Sequence, residues 1–310
     1  MPLNHFSLML ALKNAFLLQA GIGLTANTFL LLFRTLTLFL DHRPKPHDLL
    51  TGNLALVHIL MLLTMLFLSP GPFESLRLQN DVKCKALFYL SRVMRGLSIC
   101  TTCLLSMLQA VTISPSSSWL GRFKQKSRRY VIHSLLFSWI LCFSFSSNLL
   151  FFTVAASNVT QTQLLSFGKY CSLSSASSLK QSLFFRLIQF RDISFVGGML
   201  LSSVYMVTLL FRHQRRSQHL HNMSLSPSIS PEKRATQIIL LLMSFFVVMY
   251  WVDLIISSFS ILLVTISPVM LDVLTLVVNT YATVSPLLII IFDKRIISTL
   301  QHMNRKLIDF

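Results

Sequence analysis

Residues Leu49–Leu68 read LLTGNLALVHILMLLTMLFL, and this stretch holds no lysine, arginine, aspartate or glutamate. The hydrocarbon core of a bilayer is about 30 Å thick, a distance that roughly twenty residues of α-helix cross. Because the stretch has no charged face to turn toward water, it predicts a transmembrane helix.

Six further stretches repeat this pattern and fill most of the chain. Only 12% of the 310 residues are charged and the mean hydropathy is +0.66, whereas a water-soluble domain of this length alternates apolar with charged faces. We therefore predict an all-α membrane protein, a seven-transmembrane-helix bundle that forms a single domain over residues 1–310. The other predicted spans are Asn14–Phe33, Ala86–Ile113, Tyr130–Phe152, Leu187–Phe211, Ala235–Val264 and Val269–Phe292.

The net charge of +17 lies mainly on one side of the predicted bundle. The first, third and fifth loops and the C-terminal segment carry seventeen lysines and arginines, whereas the N-terminal segment and the other loops carry seven. Basic loops stay on the cytoplasmic side of a membrane, so we predict that the N-terminus lies outside and the C-terminus inside. The positive charge then reflects topology and contact with anionic lipid headgroups, and it does not indicate nucleic-acid binding.

Two of the five cysteines lie outside the apolar interior of the predicted spans. Cys84 is at the outer end of the third span and Cys171 is in the second outer loop, whereas Cys100, Cys103 and Cys142 lie within spans. Because the exterior is oxidising, we expect a disulfide between Cys84 and Cys171, with two free thiols as the alternative.

The predicted topology also separates two N-x-S/T sequons. Asn158 begins one in the outer loop after the fourth span, and Asn222 begins one in the inner loop after the fifth. Since only the outer loop faces the compartment in which glycans are added, we expect a glycan on Asn158 and none on Asn222.

Three strings carry a resemblance to a known family. They are TCLLSMLQAVTISPSSS at Thr102–Ser118, RATQ at Arg234–Gln237 and TVSP at Thr283–Pro286. On these strings the chain resembles the vomeronasal type-1 receptors, the pheromone receptors of mammals, over essentially its whole length. The resemblance implies a G-protein-coupled receptor of rhodopsin-like architecture at the plasma membrane of sensory neurons. It further implies that a small extracellular chemosignal binds in the outer half of the bundle and that a heterotrimeric G protein of the inhibitory class is activated.

The chain departs from the broader rhodopsin-like pattern at several positions. His58 stands where that class has a sodium-binding aspartate, and Gln109 stands where it has the arginine of its acid-Arg-Tyr triplet. The asparagine and tyrosine usual around the proline of the seventh helix are missing around Pro286. Asn27 and Trp139 do match helix-packing positions of that class. The switch that couples ligand to G protein must therefore use other contacts here.

Ionisable residues inside the predicted spans are candidate ligand contacts, because charges at membrane depth are expensive and mark functional sites. Arg92 and Arg95 are three residues apart and share one face of the third span, in the outer half of the bilayer. A guanidinium there suits a sulfate or carboxylate, so we expect an apolar, steroid-like chemosignal with an anionic group. The expected ligand contacts are Arg92, Arg95, Asp253, Asp272, Tyr250, Trp251 and Tyr281.

A structural role is the alternative for each of these ionisable groups. An ion pair such as Arg95 with Asp253 would join two helices without touching a ligand. Arg191 and its neighbour Asp192 fit such a pair better than they fit a ligand site. His58 is expected to be a hydrogen-bonded packing residue rather than a metal ligand.

Basic residues at the inner ends of the spans are candidates for contact with the G protein that the resemblance implies. Anchoring of the helix ends to anionic lipid is the alternative, and both roles can hold. These residues are Arg122, Lys124, Lys126, Arg212, Arg215, Arg216 and Arg234.

Other classes of function fit the sequence less well. A transporter tends to show paired repeats and broken helices, and an intramembrane enzyme needs a catalytic motif; the sequence shows neither. We expect no cofactor, no metal and no nucleic-acid partner. A bitter taste-type receptor is the alternative among receptors, since that family also departs from the rhodopsin-like motifs.

Overall fold

A computed structural model describes most of the chain. The described residues are 2–40, 45–68, 81–115, 118, 120–124, 127–147, 153–155, 171–173, 178–220, 240–241, 244–252, 268–293, 295–299 and 301. At some of these positions the backbone alone is described, and nothing is stated below about the side chain there.

Long helices make up nearly all of the described chain. A single turn of 3-10 helix at Leu120–Phe123 lies in the second inner loop, and residues 295–299 form a short helix after the last span. The long helices are α1 (Pro2–Leu40), α2 (Pro46–Leu68), α3 (Asp81–Ile113), α4 (Ser127–Ser146), α5 (Ser178–Leu220) and α7 (Pro268–Phe292). Of a further helix, α6, the structure describes residues 244–252.

The predicted all-α membrane fold is confirmed. Within the described residues, six helices are long and apolar enough to cross a bilayer. They correspond to six of the seven predicted spans, in the order of the chain. Of the remaining span, Ala235–Val264, the structure describes residues 240–241 and 244–252, all of them helical.

The ends of the helices agree with the apolar runs in some places and differ in others. Helices α2, α3 and α7 end at Leu68, Ile113 and Phe292, where the apolar runs end. Helices α1 and α5 both continue beyond the predicted spans. Helix α5 continues through the polar residues 212–220, whereas α1 continues through residues 34–40, which are largely apolar and belong to its membrane-spanning stretch.

Helix α4 is shorter than the apolar run that predicts it. It ends at Ser146, short of the predicted Phe152. Serines close the helix: the Ser147 hydroxyl donates to the carbonyl of Ser144 at 2.7 Å, and the Ser144 hydroxyl donates to the carbonyl of Ile140 at 2.8 Å. Such side-chain bonds compete with the backbone ladder and favour a helix end.

A two-stranded antiparallel sheet lies in the second outer loop, in addition to the predicted helices. Strand β1 (Thr153–Ala155) pairs antiparallel with strand β2 (Cys171–Leu173), with Ala155 opposite Cys171. Strand β1 packs against α3, the helix whose first turn holds Cys84. The side chains of both cysteines and all of Asn158 lie outside what is described, so the disulfide and the glycan stay predictions.

Helix α3 lies at the centre of the bundle, against α2, α4 and α5, and α1 packs on α2 and α7. Polar side chains join the helices at two packing positions. On α1, the Asn27 amide donates to the Gly23 carbonyl at 2.7 Å and across to the Ala282 carbonyl on α7 at 2.9 Å. Interhelical hydrogen bonds of this kind hold membrane helices together, since lipid gives apolar side chains no reason to associate.

The second packing position joins three helices through Asn53 on α2. Its amide nitrogen donates to the Thr101 hydroxyl on α3 at 3.0 Å, and its amide oxygen accepts from the Trp139 indole on α4 at 3.2 Å. Each polar atom of Asn53 therefore faces a different neighbour, which fixes the rotation of α2 about its axis.

Candidate ligand cavity and the polar clusters around it

A narrow cavity lies between α2, α3, α6 and α7. Its walls are mainly apolar, and its polar lining residues are one arginine, one serine and two tyrosines. The lining residues are Met61, Arg95, Ser98, Ile99, Phe246, Met249, Tyr250, Val278 and Tyr281.

Three of the predicted ligand contacts, Arg95, Tyr250 and Tyr281, line this cavity together. Arg92 lies one turn further out on α3 and interacts electrostatically with Tyr250 and with Asp192. Trp251 does not line it: its side chain is 53% exposed on the outside of the bundle. One residue of α6 thus faces the cavity and the next faces lipid, as the helical rotation of about 100° per residue requires.

Two predicted contacts cannot be placed. Asp253 lies outside the described residues, and of Asp272 the structure describes only the backbone, in the first turns of α7. Their role in the cavity therefore stays a prediction.

Aromatic rings close the cavity on the α6 and α7 side. The Phe246 ring meets the Tyr281 ring edge to face, with centroids 4.4 Å apart and an interplanar angle of 77°. Phe246 also stacks on Tyr250, with centroids 6.4 Å apart. Contacts of this kind fix ring orientation beyond simple burial, so these two tyrosines are held in place before a ligand arrives.

His58 on α2 contacts two of the residues that line the cavity. Its Nε2 lies 3.0 Å from the Ser98 hydroxyl on α3, and its Nδ1 lies 3.2 Å from the Ser285 hydroxyl on α7. The Tyr281 ring stands perpendicular to the imidazole at 5.4 Å. The expectation of a hydrogen-bonded packing histidine is confirmed, and the part of the chain that the structure describes holds no metal-binding group of three or more His, Cys, Asp or Glu side chains.

Ser98 is a cavity residue that the sequence analysis missed. Ser98 lines the cavity and also contacts His58. Tyr281 likewise lines the cavity and contacts His58. The signal available in the sequence was the position of Ser98 three residues after Arg95, which places both on one face of α3.

Arg191 and Asp192 on α5 form an ion pair with each other. The Nε and Nη2 of Arg191 both donate to Oδ1 of Asp192, at 2.9 and 2.7 Å. Both residues are only 6% exposed, and the Arg191 guanidinium lies 5.8 Å from the centroid of the Phe145 ring on α4. The internal pair that the sequence suggested is therefore present.

A second ionic cluster lies at the inner end of the bundle. Arg34 at the end of α1 is 1% exposed, and its Nη1 donates to Oδ1 of Asp48 on α2 at 2.8 Å. Its Nη2 donates to Asp293, just after α7. Arg295 completes the cluster: its Nη1 lies 3.2 Å from Asp48, and its backbone nitrogen donates to Asp293 at 2.9 Å.

This cluster was not foreseen, because Arg34 and Arg295 were counted only as inner positive charges. Several opposing effects act on the pKa of the Asp293 carboxyl. Burial raises this pKa, but the charge and hydrogen bond of Arg34 lower it more, so it lies below its ordinary value. The sequence does contain a clue to the cluster. Asp48 follows the basic loop between α1 and α2, and Asp293 lies between the end of α7 and Arg295.

At the inner ends of α3 and α5, hydroxyl groups join the two helices. The Ser114 hydroxyl lies 2.8 Å from the Tyr205 hydroxyl, and the hydroxyls of Ser106 and Ser202 are hydrogen-bonded. Ser114 belongs to the string at the end of the third span on which the family resemblance depends, so part of that string serves to pack α3 on α5.

The predicted G-protein-facing residues are described in part. Lys124, after the 3-10 turn, and Arg212, near the end of α5, have exposed side chains. The side chains of Arg122, Arg215 and Arg216 and all of Lys126 and Arg234 lie outside what is described. Their role in contacting a partner stays a prediction.

The comparisons with known proteins all indicate the same family. Residues 10–302 match the sequence model of the vomeronasal organ pheromone receptor family. The chain is 44% identical to vomeronasal type-1 receptor 90 of Rattus norvegicus, with 95% of this chain and 94% of the relative aligned. It is 42% identical to vomeronasal type-1 receptor 51 of Mus musculus, with 94% of this chain and 91% of the relative aligned.

These matches decide between the alternatives raised by the sequence. They favour neither a bitter taste-type receptor nor a transporter, and the relatives are receptors rather than enzymes. Together with the apolar helices, they establish a multi-pass protein of the plasma membrane with a chemosensory role. The chain belongs to the vomeronasal type-1 receptor family, the G-protein-coupled pheromone receptors.

Proposed function

We propose that this receptor binds a small extracellular chemosignal in the cavity between α2, α3, α6 and α7 and activates a heterotrimeric G protein of the inhibitory class. The observation that carries the proposal is the cavity itself, where Arg95, Tyr250 and Tyr281 lie together between apolar walls. Small-molecule sites combine a mainly apolar lining with a few placed polar groups in this way.

The charge of Arg95 supports a ligand with an anionic group. A guanidinium binds two oxygens of a sulfate or carboxylate at once, and the interaction is strong where water is excluded. The walls formed by Met61, Ile99, Phe246 and Val278 suit an apolar skeleton. An amphipathic, steroid-like anion combines both properties.

The inner surface supports contact with a G protein. Lys124 and Arg212 expose positive charge next to the junction of α3 and α5, which Ser114 and Tyr205 hold together. Coupling to the inhibitory class is part of the proposal and is tested separately from the ligand site.

The experiment expresses the receptor in cells with a calcium reporter and a promiscuous G protein. The cells are challenged with a panel of steroid sulfates, unconjugated steroids and bitter compounds. Arg95→Ala and Arg95→Lys are compared with Arg186→Ala, which removes an exposed arginine at the outer end of α5. Surface expression is measured for every variant by antibody to an N-terminal tag.

We expect steroid sulfates to activate the wild type and the Arg186→Ala variant alike. Arg95→Ala should weaken the response by about tenfold or more at normal surface expression, because a charge-assisted hydrogen bond is lost. Arg95→Lys should recover part of it, since lysine keeps the charge but not the two-oxygen geometry. Unchanged potency in Arg95→Ala would refute the ligand site. The G-protein class is tested in cells without the promiscuous G protein, and a response there that survives pertussis toxin would refute the inhibitory class.

A further inference from the structure

We propose that Arg191 forms a second ligand subsite between α3, α4 and α5, one that takes an uncharged oxygen acceptor such as a ketone. This inference rests on the proposed function, since it assigns a second contact to the same ligand. It also revises the purely structural role that the sequence suggested for the Arg191–Asp192 pair.

The first observation is an unused donor. Arg191 is 6% exposed, and its Nε and Nη2 are both taken by one oxygen of Asp192. Its Nη1 is buried and has no hydrogen-bond partner among the described residues. Guanidinium groups carry five N–H donors, and a buried donor without an acceptor is uncommon in folded proteins, so it requires an explanation.

The second observation is that α3 makes room for this guanidinium. Gly96 lies directly against it: a Cβ at Gly96 would come within 2.7 Å of Nη2 and 3.0 Å of Nη1. Glycine weakens a helix interior relative to alanine, so its presence in the middle of α3 has a packing reason here. On the opposite side the Phe145 ring of α4 lies 5.8 Å from the guanidinium carbon. Three helices therefore hold the donor in a fixed position.

The third observation is the position of this donor next to the proposed cavity. Gly96 directly follows Arg95, which lines the cavity, and the two residues point to adjacent sides of α3. Arg95 and Tyr250, both cavity residues, interact electrostatically with Arg191 and Asp192. The Arg191 guanidinium thus lies against the same turn of α3 that carries Arg95, one helix face away from the cavity.

The chemistry of the acceptor follows from the charges. Arg191 and Asp192 cancel each other, so this subsite offers a hydrogen-bond donor without net charge. A neutral carbonyl oxygen suits it, whereas the anionic group of the ligand is assigned to Arg95. The receptor would then recognise an apolar molecule by two separate oxygen groups.

The test uses dehydroepiandrosterone sulfate and its deoxo analogue, in which a methylene replaces the ketone. Purified receptor in lipid nanodiscs is titrated with each probe, and the concentration that gives half of the maximal rise in unfolding temperature is measured. The wild type should bind the ketone about tenfold more tightly than the deoxo analogue, the effect of one hydrogen bond to a charged donor.

Two variants remove this preference in different ways. Gly96→Ala keeps every charge and improves the helix, but its methyl group displaces the guanidinium; Gly197→Ala on α5, where a Cβ meets nothing within 4 Å, is its control. The double variant Arg191→Gln, Asp192→Asn replaces the ion pair with neutral side chains of similar size. We expect both to bind the two probes equally well, with the Gly197→Ala control retaining the tenfold preference.

Each outcome decides the inference. A wild type that binds both probes equally, or a Gly96→Ala variant that keeps the full preference, overturns the Arg191 subsite and leaves the Arg95 site standing. Loss of the preference in the Arg191 variants combined with no effect of Arg95→Ala supports the subsite and overturns the proposed anion site instead. A wild type that binds neither probe overturns both.

Discussion

Arg34 at the end of α1 donates to Asp48 on α2 across 2.8 Å, with its guanidinium almost completely enclosed by protein. The same guanidinium bonds Asp293, so one buried arginine ties the segment after α7 to the corner between α1 and α2. This inner cluster holds the end of the chain against the bundle at the membrane surface. It is the most extensive charged contact in the part of the chain that the structure describes.

Removing Arg34 should therefore destabilise the receptor strongly. Arg34→Ala leaves the carboxylates of Asp48 and Asp293 without their main partner, and loss of one member of a buried ion pair costs about 3–5 kcal/mol. We expect a large fall in unfolding temperature in nanodiscs and reduced surface expression. Arg128→Ala, which removes an exposed arginine at the start of α4, serves as the control and should have no effect. Equal unfolding temperatures for both variants would show that the cluster contributes nothing.

The low pKa of Asp293 predicts where this contribution disappears. A carboxyl group whose pKa is lower in the folded than in the unfolded state stabilises the folded state at every pH above its ordinary pKa of 3.8. This stabilisation is lost as the pH falls through the pKa of the folded state. The difference in unfolding temperature between wild type and Asp293→Asn should stay constant above about pH 5 and shrink only below the ordinary value. A difference that already vanishes between about pH 7 and pH 5 would contradict the direction of the shift.

The sequence predicts which segments are helical far better than how each helix is turned. Hydropathy places the ends of α3 and α7 at Ile113 and Phe292, where the structure has them. It cannot tell that Tyr250 faces the cavity and Trp251 faces outward, because both are aromatic and adjacent. Rotation about the helix axis is set by contacts with other helices, and those contacts depend on pairs of residues that are far apart in the chain.

The same limit explains the site residues that were missed. Arg95 stands out in the sequence because a charge in an apolar span is unusual, whereas Ser98 is one of many serines. Ser98 becomes a site residue only once His58 of α2 and Tyr281 of α7 are seen beside it. For Arg34, the sequence shows one more inner positive charge, and only the packing of three chain segments shows that it is buried.

His58 should couple α2 energetically to α7. Its Nδ1 lies 3.2 Å from the Ser285 hydroxyl, so the effects of His58→Ala and Ser285→Ala should not add. A double-mutant cycle on the free energy of unfolding should give a coupling of about 0.5–1.5 kcal/mol. The control cycle pairs His58→Ala with Ser144→Ala, whose hydroxyl bonds only within α4, and it should give no coupling. Additive effects in both cycles would mean that the imidazole–serine contact has no energetic weight.

Two glycines on α1 offer a matched test of how closely the helices pack. A Cβ at Gly23 would lie 2.5 Å from Cδ1 of Leu62 on α2 and 2.9 Å from Oγ1 of Thr283 on α7, whereas a Cβ at Gly21 meets nothing within 4 Å. Gly23→Ala must therefore displace the side chains of Leu62 and Thr283 or push α1 away from them, and overpacking of this kind costs about 1–3 kcal/mol.

Gly21→Ala carries the same chemical change without the crowding, and alanine favours a helix over glycine by about 1 kcal/mol. We expect Gly21→Ala to leave the unfolding temperature unchanged or to raise it, and Gly23→Ala to lower it. The added methyl group also moves α1 relative to the Ala282 carbonyl that Asn27 bonds on α7. Gly23→Ala should for this reason weaken the effect of a further Asn27→Ala change. If both glycine variants are equally stable, α1 packs more loosely on α2 and α7 than these distances require.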